Sequence, residues 1–185
     1  MRKRRVLPVV AAVAVGGAVL IATSASASPS EAGASAHRGA VHFSSFTDND
    51  GPSASVILTG ALGDFGESVS VNPDGSVSTG HAGQMKLVLS QGSFRIDFGA
   101  LDQQLLAAIG AHPMDTRSCA GHVTTTGTAV VVPGSGDGAY RGIAGTFHLT
   151  VTLDELVARN QCDWTGATLR QSIVVLGSGE LSLAG

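Results

Sequence analysis

The stretch MKLVLSQGSFRIDFG, residues 85–99, alternates apolar and polar side chains on either side of a short turn. Met85, Leu87 and Leu89 share one face; Phe94, Ile96 and Phe98 share another, with Arg95 and Asp97 opposite them. A period of two is the signature of a half-buried strand, because successive side chains leave a strand on opposite sides. Gln91-Gly92 between the two runs supplies the tight connection, so the segment reads as a β-hairpin.

The same period recurs further along the chain. In FHLTVTLDE, residues 147–155, Phe147, Leu149, Val151 and Leu153 lie opposite His148, Thr150, Thr152 and Asp154. The C-terminal IVVLGSGELSL puts Ile173, Val175, Gly177, Gly179, Leu181 and Leu183 on one parity, which predicts one long strand bent at its glycines rather than two strands around a turn. Asn72-Pro73-Asp74-Gly75 is a turn by composition. Only LDQQLLAAI, residues 101–109, reads as a helix, with good helix formers ending at Gly110. The expected class is all-β: an antiparallel closed barrel, with a β-sandwich as the alternative. Closure is favoured because it removes the edges that a sheet must otherwise protect.

PGSGDGAYRGIAGTF, residues 133–147, imitates a phosphate-binding loop without matching one. No Lys follows its glycines as a Walker loop requires, and spacing from Gly134 or Gly136 reaches Ala139 or Arg141 where a dinucleotide fingerprint needs glycine. A strand follows it instead of a helix, so no helix N-terminus awaits a phosphate. Gly134, Gly136, Gly138, Gly142 and Gly145 around Tyr140 therefore read as a structural hairpin tip, with Tyr140 folded back as an apolar plug.

From Gly136 to Phe147 the chain resembles the glycine-rich hairpin of allene oxide cyclase-like and dirigent-like barrels and of small secreted actinobacterial proteins of uncharacterised function. The resemblance covers about residues 119–185 best and, by strand spacing alone, 55–100. It implies an eight-stranded antiparallel barrel. The cyclisation of a fatty-acid epoxide and the steering of phenoxy-radical coupling known in that superfamily are not carried over, because their lumenal acidic, asparagine and arginine residues find no counterparts here.

Arg2 to Arg5 precede an apolar run from Val6 to Ala22 and an Ala25-Ser26-Ala27 cleavage site, the pattern of a secretory signal peptide over residues 1–27. The rival reading, a membrane anchor, meets a short run interrupted by Pro8 and Gly16-Gly17. Arg4-Arg5 leaves twin-arginine export open beside the general route. Cleavage leaves seven basic against fourteen acidic residues, a net charge of −7, so a basic footprint for nucleic acid is absent. Residues 28–40 are expected to be a flexible leader, and 41–185 a single barrel domain secreted to the outside, with no membrane attachment after cleavage.

Two cysteines in a secreted chain, Cys119 and Cys162, are expected to form a disulfide at the open end of the hairpin whose tip is residues 133–142. Placing them face to face centres that hairpin on Tyr140-Arg141. Catalytic and metal patterns fail. There is no nucleophile elbow and no zinc-protease motif, and the histidines at 37, 42, 81, 112, 122 and 148 are scattered. Asp48-Asn49-Asp50-Gly51 reads as a turn rather than a calcium loop. The carboxylate pairs Asp97 with Asp102 and Asp154 with Glu155 read as solvated element ends. No catalytic residue, metal or cofactor is assigned. Two functions remain: a secreted non-enzymatic barrel that binds a small apolar ligand or a partner, or an isomerase or cyclase with its site in the lumen. The face that turns inward discriminates between them, since an apolar lumen leaves no acid or base for chemistry.

Overall fold

Alternation places one face of every strand against its neighbours' equivalents, and the result is a closed antiparallel barrel in the order β1 to β8. The computed structural model describes residues 37–48, 53–78 and 83–184. Its elements are β1 (His37–Thr47), β2 (Ser53–Gly60), β3 (Asp64–Val71), β4 (Gln84–Leu89), β5 (Gly92–Asp97), α1 (Gly99–Ala111), β6 (Ala120–Val131), β7 (Ala144–Val157) and β8 (Thr168–Leu183). β8 closes on β1 from Leu183 opposite His37 to Ile173 opposite Thr47. The signal peptide, most of the leader, Asn49 to Gly51 of the expected turn, and His81 lie outside the described residues. β1 begins at His37, inside the segment assigned to the leader, because the antiparallel ladder with β8 extends that far.

Inward side chains form one core. Val41, Phe43, Leu58, Leu87, Phe94, Ile96, Phe147 and Leu149 are at most 2% exposed, and the Phe43 and Phe147 rings meet edge to face with centroids 5.7 Å apart. β8 runs unbroken through its glycines as expected. A side chain at Gly177 would collide with the His148 carbonyl oxygen on β7, so glycine there allows the strands to approach while the barrel curves.

One seam departs from regular pairing. β5 and β6 are joined through Ile96 opposite Val131 and Asp97 opposite Val130, and α1 covers the gap along the rest of β6. Leu101 of α1 is 1% exposed, and its side chain and that of Gln104 lie over Gly127. The expected helix is therefore present, two residues longer at each end, and serves as part of the wall. Asp102, read from sequence as solvated, is buried at 8% exposure because this helix packs its first turn against the barrel.

Cys119 and Cys162 are bonded, with Cα atoms 4.7 Å apart. They sit with Met114, Val157 and Trp164 in a small apolar cluster of their own, and Trp164 Nε1 donates to the His112 carbonyl at 2.7 Å. The hairpin register differs from expectation. Ala120 opposes Leu156 and Val130 opposes Thr146, which centres the hairpin on Gly138 rather than on Tyr140-Arg141. Cys119 consequently lies beside Val157, whose N–H donates to its carbonyl at 3.0 Å. Cys162 reaches it from the connection to β8, not from the ladder.

Candidate functional site

The glycine-rich stretch closes the seam that β6 leaves open. From Val132 onward it runs along β5: Val132 N–H donates to the Arg95 carbonyl, Asp137 N–H to Ser93 and Ala139 N–H to Gln91, at 2.8 to 2.9 Å. The Asp137 carboxylate in return accepts from Ser93 N–H at 2.6 Å and from the Ser93 hydroxyl at 2.9 Å. Gly138 opens a single 3₁₀ turn at positive φ (55°), and a Cβ there would collide with the Gln91 carbonyl oxygen. Gly134, Gly142 and Gly145 also take positive φ, whereas Gly136 lies tight against the Tyr140 carbonyl. The tip is a sealing strap joined to β5 by backbone hydrogen bonds.

Replacing Gly138 by Val combines a backbone conformation unfavourable for a β-branched residue with this collision. The expected loss is roughly 2–3 kcal/mol of stability, read as a lower urea midpoint at unchanged slope. A variant as stable as the parent would show that the strap does not depend on the close approach.

Tyr140 does more than plug the end. Its ring is 3% exposed and packs on Phe94 with centroids 5.2 Å apart, and its hydroxyl donates to Asp64 Oδ2 at 2.5 Å. Asp64, at the start of β3 and 5% exposed, also accepts from its neighbour Phe65 N–H at 2.7 Å, from Ser90 N–H at 3.1 Å, from the Ser90 hydroxyl at 2.5 Å and from Gln91 N–H at 3.1 Å. Burial pushes this carboxyl up, but the hydroxyls of Ser90 and Tyr140 and the N–H groups of Phe65 and Gln91 outweigh burial and hold it at about 2. Burial, the hydrogen bond to Asp64 and that carboxylate's charge push the Tyr140 hydroxyl well above its ordinary value. A carboxylate saturated by five donors is a poor base, and a phenol held protonated beside it is a poor acid. The pair ties three connections together at one end of the barrel.

The lumen itself offers little else. Besides Asp64, the buried polar side chains among the described residues are Ser45, Ser68 and Ser93 on the strands and Asp102 on α1. Among the described residues no group of three or more His, Cys, Asp or Glu is placed to hold a metal ion.

A second polar locus lies at the opposite end, in an open groove of about 380 Å³ lined by residues of β6, β7 and β8. His122 Nδ1 and Asp154 Oδ1 are 2.7 Å apart with both side chains more than half exposed. His122 Nε2 lies 3.4 Å from the Thr124 hydroxyl. Glu155 accepts from the Thr168 hydroxyl at 2.7 Å, and Gln171 Oε1 is buried without a partner among the described residues. Water reaches the imidazole and the carboxylate freely, so the pair lacks the desolvated setting that makes such a dyad an effective base.

Sequence reasoning missed both polar clusters. A hairpin centred on Gly138 places His122 opposite Asp154; one centred on Tyr140-Arg141 does not. No local pattern connects Asp64, Ser90 and Tyr140, which meet only when the barrel closes.

Fold and interior define a class: a closed eight-stranded antiparallel barrel whose lumen is occupied by its own apolar side chains and sealed at one end by an aspartate–tyrosine pair. Comparison with known proteins returned no matching family model, no matching curated protein and no matching solved structure.

Proposed function

We propose that the protein is a secreted, non-catalytic barrel that works through its outer wall by binding a partner. The observation that carries this reading is the inward face, where the rings of Phe43, Phe94 and Phe147 and the aliphatic side chains around them are all but fully buried. General acid–base catalysis needs a titratable group within reach of a substrate, and the buried carboxylate on the barrel's inner face, Asp64, spends its lone pairs on five internal donors. That argues against the lumenal isomerase and equally against a small apolar ligand in the lumen. The signal-peptide pattern supports an extracellular setting, and the disulfide between Cys119 and Cys162 is compatible with it. The resemblance to allene oxide cyclase-like and dirigent-like barrels belongs to this reading as a likeness of architecture, without their activities.

Thermal unfolding in the presence of benzene tests it. A compact apolar molecule that enters a dry cavity raises the melting temperature by ligand linkage. The parent protein is expected to show no shift, and a Phe147→Ala variant, with a hole opened at the centre of the lumen, is expected to show an upward one. A shift in the parent would mean that the lumen accepts apolar ligands, and the wall would lose its claim.

A further inference from the structure

We infer that the wall formed by β8, β1, β2 and β3 is a self-association surface, on which a second copy of this chain docks. The inference rests on the reading that the wall is the working surface. Four large apolar side chains stand out from these adjacent strands: Phe46 at 51% exposure, Ile57 at 53%, Phe65 at 66% and Leu176 at 51%. Register makes them one strip. Ile57 directly opposes Phe65, and Ser44 opposes Ile57 on one side and Leu176 on the other. Phe46 lies in the next row, between Ser55 and Val174. Two of the chain's six phenylalanines are thus spent on solvent, where isolated exposure would be ordinary but four large apolar side chains grouped on adjacent strands around Ser44 are not.

Three features favour a second copy as the occupant. The barrel is closed and its β5–β6 seam is covered by α1 and the glycine-rich stretch, so the described residues leave no free edge strand for strand addition and a protein partner must dock face to face. Sheets packed in that way lie about 10 Å apart at a shallow angle and bury whole rows of side chains. The rows that hold the strip carry no charged side chain until Glu67 at their edge, opposite Ser55. A partner recognised by opposite charge would find nothing to pair with there. Apart from Glu67, the face consists of apolar side chains and the hydroxyls of Ser44 and Ser55, which donate as well as accept, and such a face is complementary to itself across a two-fold axis. The same lack of basic residues in these rows disfavours an anionic lipid surface.

Four strands at about 4.8 Å spacing give a strip about 19 Å wide, which with its flanks buries on the order of 400 Å² per copy. That is about half the area of a standard interface. The expected dimer is therefore weak and depends on concentration.

Sedimentation equilibrium on the mature, disulfide-bonded protein reads this directly. The weight-average mass is expected to rise from that of a monomer toward twice that value as concentration increases from about 10 μM to about 1 mM, the range set by weak interfaces. Phe65→Glu, at an exposed position that leaves the core untouched, is expected to raise the dissociation constant at least tenfold. Val130→Ser is the control: Val130 is 47% exposed but on β6, away from the strip, and the substitution is expected to change nothing. A parent that stays monomeric throughout, or a Phe65→Glu variant that associates as well as the parent, overturns the inference. So does a monomeric parent that cosediments with vesicles of phosphatidylcholine and phosphatidylserine, since the strip would then serve a membrane. A monomer whose melting temperature ignores benzene loses the dimer and keeps the wall as working surface, whereas a benzene shift in the parent removes that reading itself.

Discussion

Asp64→Ala is expected to lower stability by roughly 3–5 kcal/mol, the range for breaking a buried charged network from one side. The cause is the set of donors left behind. The hydroxyls of Tyr140 and Ser90 and the N–H of Gln91 face the carboxylate at the end of the barrel, and alanine offers them nothing. Tyr140→Phe removes one donor and keeps the ring on Phe94, so its loss should be smaller, about 1–2 kcal/mol. The double variant should lose less than the sum, because the phenol has no partner once Asp64 is gone. Urea midpoints of the four proteins measure this, and strict additivity would show that the two groups do not act together.

Acid supplies a second reading of the same pair. The Asp64 carboxyl is held below its ordinary value of 3.8, at about 2. The folded state therefore binds this proton less readily than the unfolded chain. The stabilisation is fully present above about pH 4 and is lost as pH falls toward 2. It amounts to on the order of 1–2 kcal/mol once solvent screening at the barrel end is allowed for. The Tyr140 hydroxyl is raised above its ordinary value of 10.0, so its contribution is complete below pH 10 and declines as pH rises beyond that. An Asp64→Ala variant should lose the acid-side slope that this group contributes to the parent's stability profile.

Removing the disulfide is expected to cost roughly 4 kcal/mol, the loop-entropy value for cysteines 43 positions apart. For a domain of this length that is about 10 °C in melting temperature. Cys162→Ala tests it more cleanly than Cys119→Ala, because Cys119 is the one non-glycine residue at positive φ among those described, and changing it mixes backbone effects with loss of the bond. Cys162 and Trp164 pack on Met114, Cys119 and Val157, so part of the loss should appear as weaker docking of the connection that carries Trp164. Reduction of the parent should reproduce most of the shift. Two free thiols in the unreduced, denatured protein would remove the basis of the prediction.

The strands were legible in the sequence because a half-buried strand must alternate, and the alternation of residues 85–89, 94–98 and 147–153 is nearly free of interruption. The long bent β8 was legible for the same reason, since Gly177 and Gly179 keep the parity of Val175 and Leu181. The pairing of Cys119 with Cys162 followed from there being only two cysteines. The hairpin centre was not legible. The symmetric construction assumed that both cysteines end the ladder, but Cys162 belongs to the connection beyond Val157, so the true register and with it the His122–Asp154 pair were displaced. Asp64 meeting Tyr140 and Ser90, Asp102 buried beneath α1, and the strip from Leu176 to Phe65 each depend on which strands become neighbours. A sequence by itself determines which face of each strand is apolar, because that is a local property of period two. Only closure of the barrel decided what each face meets, because positions distant along the chain are brought opposite one another by register, and register is a property of the whole sheet.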